Sequence, residues 1–505
     1  MLLVIIVMRY HTFFNDYYDR DFQSQMVATI YQMETGSPMM QSYGKVYRTL
    51  FMFMQTHFGK YNWRVFHILA VIIITITGVF LYFTVSVVKN KNAGVYSALF
   101  FAFFMNCMSK DFLAFSPEIV FNVFISLSVL CFILAEFGKL KVMYRLPIYL
   151  FSFFFAYLAL NVKLHSAFYI LTFFGYYVFF KFEKTGQKWV MVLLFFFVGI
   201  IGLFGIQGFS ARQAIHFIGS VLKEIMAYIK AYDISFFSTI SKFLFVFISM
   251  ILSQVLVWYF FYRYVFRNKN IFSTELKPKK YFFVFAVCSF IPCLVTLRFY
   301  PHYFIQLMPV LAIGGGIGLE DFTMGNLSKL EVKYKKRIQA WVMIPAVFFI
   351  FYFSIFFVIT RVNPDVRLGI NSFAPNGVLV DCINWLKKNT HETDKIAVWG
   401  DAVEIYYFAR RTPGGLHLWL KPTVNRYFHD KRKRNLGENS GEKYFREFIN
   451  EMERNKNAYF IDTQPSGYSG FSEFPFQRVP IIANYVNNHY SQVDRAGNII
   501  IYKRK

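Results

Sequence analysis

A series of apolar runs, each near the length that crosses a bilayer, constrains this chain most strongly. A membrane-spanning helix needs about 20 apolar residues. The run 144–182 is too long for one span, and because Asn161, Lys163 and His165 interrupt it, we divide it in two. The N-terminal MLLVIIVM predicts a short first span. Eleven spans are thereby predicted, at residues 1–8, 65–88, 95–108, 119–137, 144–161, 164–181, 189–207, 241–266, 281–298, 303–319 and 340–360.

The composition agrees with a membrane protein. Apolar residues make up 56% of the chain and charged residues 16%, whereas a soluble domain carries about 25% charged residues. A water-soluble globular enzyme and a disordered chain are therefore excluded. The five cysteines include no CxxC pair, so neither a disulfide scaffold nor a zinc ribbon is indicated. The sequence also has no GxSxG, HExxH or Walker motif.

The net charge of +25 could indicate a nucleic-acid partner, but its distribution follows the predicted spans. Loops on one face hold eighteen Lys and Arg residues, and the short loops on the other face hold six. The positive-inside rule places the first set in the cytoplasm. Eleven spans then put the N-terminus inside and the C-terminal tail outside. No nucleic-acid partner is needed to explain the charge.

Two domains are predicted from these features. Residues 1–360 form a transmembrane domain with outer loops at 9–64 and 208–240, the second of them amphipathic. Residues 361–505 change composition and alternate helical and strand patterns, which is typical of a soluble α/β unit. The predicted helices there are VLVDCINWLKKN and YFREFINEMERN, and the predicted strands are KIAVWG, AYFIDT and NIIIYKRK. The fold class is therefore an α-helical polytopic membrane protein with a C-terminal α/β domain.

Four polar clusters fall at the outer ends of the spans, where polar side chains are costly and therefore informative. They are NDYYDRDF with Asp16, Asp19 and Asp21, SKDFLAFSPE with Lys110, Asp111 and Glu118, NVKLH with Lys163 and His165, and LRFYPHYF with Arg298 and His302. Lys163, Arg298 and His302 could gather around an anion such as a lipid phosphate. Asp21 or Asp19 could remove a proton from an attacking hydroxyl. Together these roles describe group transfer from a phosphate leaving group.

Each of these residues also has a simpler interpretation. Lys163 and Arg298 can extend to the interface as lone cations, and Glu118 can stabilise the start of a helix. The DRD run that contains Asp19 matches a metal–phosphate pattern, which permits a divalent ion without requiring one. Gly314-Gly315-Gly316 lies inside a span and is expected to pack helices together.

Five segments resemble a known family, the GT-C membrane glycosyltransferases, and in particular the bacterial branch related to protein O-mannosyltransferases and aminoarabinose transferases. An acid precedes a glycine by fifteen residues in DFQSQMVATIYQMETG, from Asp21 to Gly36. A second acid, Glu118, begins a span, and LNVKLHSAF resembles the family's lysine-bearing break. The most specific likeness is RFYPHYFIQLMPVLAI, through Arg298, His302, Tyr303 and Pro309. VWGDAVEIYYFARRTPGG resembles a recurrent segment of the family's outer domain.

The resemblance implies an inverting transfer of a sugar from a polyprenyl-phosphate carrier to an acceptor hydroxyl or phosphate, at the periplasmic face of the bacterial cytoplasmic membrane. Asp21 matches the family's catalytic base. The residues that match the family's contacts to the carrier phosphate are Lys163, Arg298 and His302. The residues expected to support them are Asp19, Glu118 and Tyr303. The expected partners are the lipid-linked donor, membrane lipid, and a glycolipid, glycan or protein acceptor. No cofactor is implied beyond the divalent ion that the DRD run permits.

The sequence departs from the family at three places, and the first of them is the short first span. The usual Asp-Glu pair reads Asp21-Phe22, and a usual proline-rich segment reads Val46-Tyr47-Arg48-Thr49. Two other functions stay open. A lipid-phosphate transporter or flippase would explain the cations without a base, but it predicts internal repeats, which the sequence lacks. A non-catalytic membrane scaffold with a partner-binding outer domain leaves the interruption of the run 144–182 unexplained.

Overall fold

The structure, a computed structural model, contains a set of apolar helices and a small sheet with its own helices. It describes residues 1–13, 20–36, 44–106, 110–163, 166–181, 236–266, 277–295, 299–327, 377–415, 418, 420, 424, 427 and 440–505. The chain divides into two compact units. The first contains the described residues of Met1–Asn15, His67–Leu222 and Ser235–Ile370, and the second contains those of Asp16–Phe66 and Asn371–Lys505.

Helices make up most of the described chain. In order they are α1 Leu2–Arg9, α2 Arg20–Thr35, α3 Lys45–Phe58, α4 Trp63–Val88, α5 Lys91–Phe104, α6 Lys110–Leu113, α7 Pro117–Phe137, α8 Val142–Leu160, α9 Ala167–Tyr176, α10 Phe236–Ser253, α11 Val255–Phe266, α12 Lys277–Val295, α13 Met308–Leu327, α14 Gly377–Asn389, α15 Val403–Ala409, α16 Ser440–Arg454 and α17 Pro480–His489. A π-helical turn, Tyr177–Lys181, extends α9. A 3₁₀ helix, Pro301–Leu307, leads into α13.

Four helical segments among the described residues are long and apolar enough to cross a membrane. They are Trp63–Val88, Pro117–Phe137, Val142–Leu160 and Pro301–Met324. A bent pair of helices could supply a fifth. The predicted spans 189–207 and 340–360 lie outside the described residues, so the total of eleven stays a prediction.

The bent pair differs from the single straight span that the run 241–266 predicts. Thr239–Leu252 and Val255–Phe266 meet at an angle of 89°. Gln254 lies at the break and is fully buried, and its Nε2 donates to the carbonyl oxygen of Phe104 at 3.5 Å. A buried amide is costly without a partner. The polar residue thus lies where the two helices meet.

Glycines allow close helix packing in the first unit. Helix α13 packs against α5 and α11. A Cβ on Gly316 would lie 2.6 Å from the backbone nitrogen of Ser97, and one on Gly318 would lie 2.0 Å from the carbonyl oxygen of Phe260. No side chain fits at such distances. The packing role expected for Gly314-Gly315-Gly316 is therefore confirmed.

The second unit contains a five-stranded mixed sheet in the order β2-β1-β3-β5-β4. Its strands are β1 Lys395–Trp399, β2 Thr412–Pro413, β3 Tyr459–Asp462, β4 Tyr490–Ala496 and β5 Ile499–Arg504. Strand β1 pairs in parallel with β2 and β3, whereas β5 pairs antiparallel with β3 and β4. The core includes Trp399, Phe445, Phe448 and Phe460, all nearly or fully buried. The helices and strands predicted for the C-terminal tail are confirmed.

Candidate functional site

The candidate site begins at the N-terminal end of α7. Ser116 is extended and Pro117 takes the first helical position, which is a common way for a helix to start. Glu118 follows in the first turn, and only 1% of its surface is exposed. A carboxylate at this position is favoured by the helix dipole. The helix end therefore supports the negative charge, but burial demands a further partner.

Lys163 supplies that partner from the break between α8 and α9. Asn161 ends α8, and the backbone nitrogen of Lys163 donates to the carbonyl oxygen of Ala159 at 3.2 Å. The hydroxyl of Ser166 donates to the carbonyl oxygen of Lys163 at 2.8 Å. These contacts form the interruption that the sequence predicts within 144–182. The ammonium of Lys163, whose side chain is 11% exposed, forms an ion pair with Glu118.

The 3₁₀ helix before α13 adds aromatic and imidazole side chains to this pair. The Lys163 ammonium lies 4.9 Å from the centroid of the Tyr303 ring, which is an attractive cation–π geometry. His302 contacts the Tyr303 ring at a centroid distance of 4.5 Å and stacks on Tyr300 at 5.6 Å. Lys242 lies 4.6 Å from the centroid of Tyr300. Two lysines and a histidine thus share a group of tyrosine rings.

Side chains from neighbouring helices hold this 3₁₀ helix in place. Asn122 Nδ2 donates to the carbonyl oxygen of Ile305 at 3.0 Å. The hydroxyl of Tyr169 donates to the carbonyl oxygen of Gln306 at 2.6 Å, and Gln306 Nε2 donates to Cys293 Sγ at 3.1 Å. Buried backbone carbonyls need such partners. The contacts fix the segment that carries the histidine.

The cluster concentrates charge in a buried setting. Glu118 interacts electrostatically with both Lys163 and His302. Its Oε2 is buried and has no hydrogen-bond partner within the described parts of the chain. An unpaired buried carboxylate would be strongly destabilising, so the ion pair is needed to keep this acid in place. An anion brought to the cationic side of the cluster could accept charge-assisted hydrogen bonds.

Of the seven predicted site residues, the structure brings together Glu118, Lys163, His302 and Tyr303. Asp21 lies in the first turn of α2, which belongs to the second unit. Asp19 and Arg298 lie outside the described residues. The catalytic and phosphate-binding roles of all these residues stay predictions.

The residue after Asp21 explains one departure from the family pattern. Phe22 is 2% exposed. Its ring centroid lies 5.7 Å from that of Phe51 and 5.3 Å from that of Phe66. Edge and tilted aromatic contacts at these distances are favourable. An apolar ring in place of the usual glutamate therefore anchors the start of α2 in an aromatic cluster.

The residues that the structure describes do not form a metal site. No group of three or more His, Cys, Asp or Glu side chains among them could hold an ion. Asp19, which belongs to the DRD run, lies outside this part of the chain. The divalent ion that the DRD run permits therefore stays a prediction, and we assign no step to it.

Sequence reasoning missed a buried arginine that supports the site. Arg9 ends α1 and is fully buried. Its guanidinium donates to the carbonyl oxygens of Leu113 at 3.0 Å and Phe112 at 2.7 Å, and to Asn106 Oδ1 at 2.5 Å. The rigid fork of arginine suits such multiple contacts. It ties α1 to α6, the short helix that precedes α7. The available signal was a single cation at the end of the apolar MLLVIIVM.

Comparison with known proteins gives matches among solved structures. No protein-family model and no curated protein matches the sequence. The aminoarabinose transferase ArnT from Cupriavidus metallidurans matches with 12% identity and a TM-score of 0.58, over 99% of this chain and 96% of that one. Its complex with undecaprenyl phosphate matches at 11% identity with the same TM-score. The oligosaccharyltransferase AglB from Archaeoglobus fulgidus, in complex with an inhibitory peptide and dolichol-phosphate, matches at 11% identity with a TM-score of 0.53, over 97% of this chain and 70% of that one.

These matches show the fold. ArnT and AglB are both GT-C membrane glycosyltransferases, and this chain shares their GT-C fold across nearly its whole length. The resemblance drawn from short sequence segments is confirmed at the level of fold.

Proposed function

We propose that this protein is a glycosyltransferase that moves a sugar, with inversion, from a polyprenyl-phosphate carrier to an acceptor hydroxyl or phosphate. The observation that carries the proposal is the buried group formed by Glu118, Lys163, His302 and Tyr303 within a GT-C fold. Buried charges beside apolar helices are costly, so a cluster of them indicates a function. Binding of a lipid-borne anion is a function that this cluster could perform.

In this proposal the cations stabilise the leaving group. Lys163, Arg298 and His302 bind the carrier phosphate. The acceptor oxygen attacks the anomeric carbon while the bond from that carbon to the phosphate oxygen breaks. The negative charge left on the polyprenyl phosphate is stabilised by the cations. Asp21 takes the proton of the acceptor hydroxyl, and attack from the opposite side inverts the anomeric configuration.

Glu118 and Tyr303 support Lys163 in this scheme. The carboxylate pairs with the ammonium and fixes its direction. The Tyr303 ring, at 4.9 Å from the ammonium, limits its movement further. Asp19 lies two residues before the base in the sequence and is proposed to assist it. An ammonium held in this way loses little freedom when a phosphate binds, which favours tight binding.

The ligands of the neighbours agree with this donor class. ArnT has been solved with undecaprenyl phosphate, and AglB with dolichol-phosphate and a peptide. Both lipids are polyprenyl phosphates. The positive-inside distribution further favours a reaction at the outer face of the cytoplasmic membrane, with the C-terminal domain periplasmic.

Binding of the lipid phosphate tests the proposal first. Full-length protein in nanodiscs is titrated with undecaprenyl phosphate, and Lys163→Gln is compared with wild type. The matched control is Lys89→Gln, since Lys89 also lies at a helix end and also pairs with an acid, Asp321 at 2.7 Å, but is 40% exposed. We expect Lys163→Gln to weaken binding at least 10-fold and Lys89→Gln to leave it unchanged.

Equal affinity of the two variants for undecaprenyl phosphate would show that Lys163 does not belong to the phosphate site. Binding that depends on Lys163 without any sugar transfer, in a screen of polyprenyl-phosphate sugars, would instead favour the lipid-phosphate transporter. Activity that survives EDTA would exclude a required divalent ion.

A further inference from the structure

Helix α2 is unusually enclosed for a segment outside the apolar spans. All ten residues from Phe22 to Tyr31 are buried, although a surface helix normally buries only one face. Within the second unit α2 packs against α3, α15 and β2. Gln55 Nε2, from α3, donates to the carbonyl oxygen of Met26 at 3.1 Å. The helix that carries Asp21 is thus built into the same unit as the C-terminal sheet.

One buried polar contact fastens α2 to α16 across 420 positions of sequence. The Tyr31 hydroxyl donates to Glu451 Oε2 at 2.7 Å. Arg454 Nη2 donates to the same oxygen at 2.6 Å. Tyr31 is fully buried and Glu451 is 8% exposed. Burial and the neighbouring carboxylate raise the pKa of Tyr31, so the phenol remains a donor at neutral pH.

We propose that Tyr31 and Glu451 are positioning residues, which set the placement of α2 and thereby of Asp21 through the C-terminal domain. This inference rests on the proposed function, in which Asp21 is the base. The C-terminal domain would then contribute to catalysis, because its helix α16 holds α2, the helix that carries Asp21. Neither residue touches substrate in this account.

The geometry explains why a distant contact matters. Ten residues separate Asp21 from Tyr31, which is about 15 Å along a helix at 1.5 Å per residue. A helix transmits a shift or rotation at one end to the other because it is stiff over this length. A displacement of about 1 Å at a reacting group can reduce the rate about 100-fold. A small loosening of the Tyr31 contact should therefore appear mainly in turnover.

Two conservative variants and one control test the inference in the full-length protein. Tyr31→Phe removes only the hydroxyl, and Glu451→Gln removes the charge while keeping the shape. The control is Glu442→Gln on the same helix, where Glu442 pairs with Arg446 at 2.9 Å but is 44% exposed. We expect Tyr31→Phe and Glu451→Gln to lower kcat about 10-fold, with the donor KM within 2-fold of wild type. The control should match wild type.

Combination with Asp21→Asn separates positioning from general damage. If Tyr31 acts through Asp21, then Tyr31→Phe should reduce the residual activity of Asp21→Asn no further. A further 10-fold loss in that background would overturn the inference, as would full activity of Tyr31→Phe in the wild-type background. Full activity of Asp21→Asn alone would contradict the proposed role of Asp21 as the base, and the absence of sugar transfer by wild type would contradict the proposed function, so these failures are distinguishable from that of the inference. Thermal unfolding of each variant checks that the fold is retained.

Discussion

Replacing Lys163 by methionine would test whether the buried ion pair is both a structural and a functional element. The change keeps most of the length of the side chain and removes its charge. Glu118, at 1% exposure, would then be left without its cation. The helix dipole of α7 offers only partial compensation, on the order of 1 kcal/mol.

The expected magnitude follows from this burial. Removing one partner of a buried ion pair destabilises a protein by about 3–5 kcal/mol, because an uncompensated charge remains. Replacing both partners by neutral groups of similar volume is often neutral. The single variant Lys163→Met should therefore be much less stable than the double variant Glu118→Gln/Lys163→Met. The double variant should unfold close to wild type.

Stability and activity are predicted to separate in this series. Unfolding of the three proteins in nanodiscs can be followed by intrinsic fluorescence during heating, and binding of undecaprenyl phosphate can be measured on the same samples. We expect the double variant to recover the melting temperature without recovering lipid binding, since the phosphate contact is still absent. This outcome would assign the lysine to ligand binding beyond its structural role.

Two results would refute the reasoning. If Lys163→Met has the melting temperature of wild type, then the buried carboxylate of Glu118 does not need the lysine, contrary to what its burial implies. If the double variant regains lipid binding along with stability, then the lysine serves the fold alone.

Three further predictions address other parts of the chain. Arg9→Met should destabilise the protein by about 3 kcal/mol, measured by thermal unfolding, because it leaves buried acceptors in α6 without donors; an unchanged melting temperature would contradict this. Gly318→Ala should destabilise or misfold the protein, since its Cβ would lie 2.0 Å from a backbone oxygen, and normal expression and melting would contradict it. Burial raises the pKa of Asp462 to about 6, which is above its unfolded value. Folding therefore favours the neutral acid, and the free energy of unfolding should fall by about 2 kcal/mol as the pH rises from 4 to 6. Asp462→Asn should remove that part of the pH dependence in urea or thermal unfolding, and an unaltered profile would count against it.

Local patterns predicted a large part of this structure. The polar interruption at Asn161 and Lys163 was predicted from the sequence, and the structure ends one helix there before another begins. Polar residues within an apolar run are costly in a membrane, so their position is informative. The helix start beside Glu118 and the strands of the C-terminal tail are equally local features. Strand β4 and helix α15 were not predicted, since YSQVDRA and VEIYYFA lack a clear apolar period.

Contacts between distant positions could not be predicted from one sequence. The bond between Tyr31 and Glu451 depends on how the elements between them pack, and no periodicity encodes it. The bend beside Gln254 lies within a run that is apolar on average, so hydropathy alone predicts a single span there. For the site, the sequence predicted that Lys163 and His302 gather around an anion, whereas their common contact with the Tyr303 ring depends on tertiary structure.

The central claim is that this chain transfers sugar from a polyprenyl-phosphate donor with Asp21 as the base. The most direct test is to measure product formation and undecaprenyl-phosphate release by wild type and Asp21→Asn in nanodiscs, over a panel of polyprenyl-phosphate sugars and membrane acceptors. The account predicts stoichiometric sugar transfer by wild type, and a loss of at least 100-fold in Asp21→Asn with lipid binding unchanged. Equal turnover by the two proteins would contradict the assignment of the base, and transport of the donor without any transfer would contradict the glycosyltransferase itself.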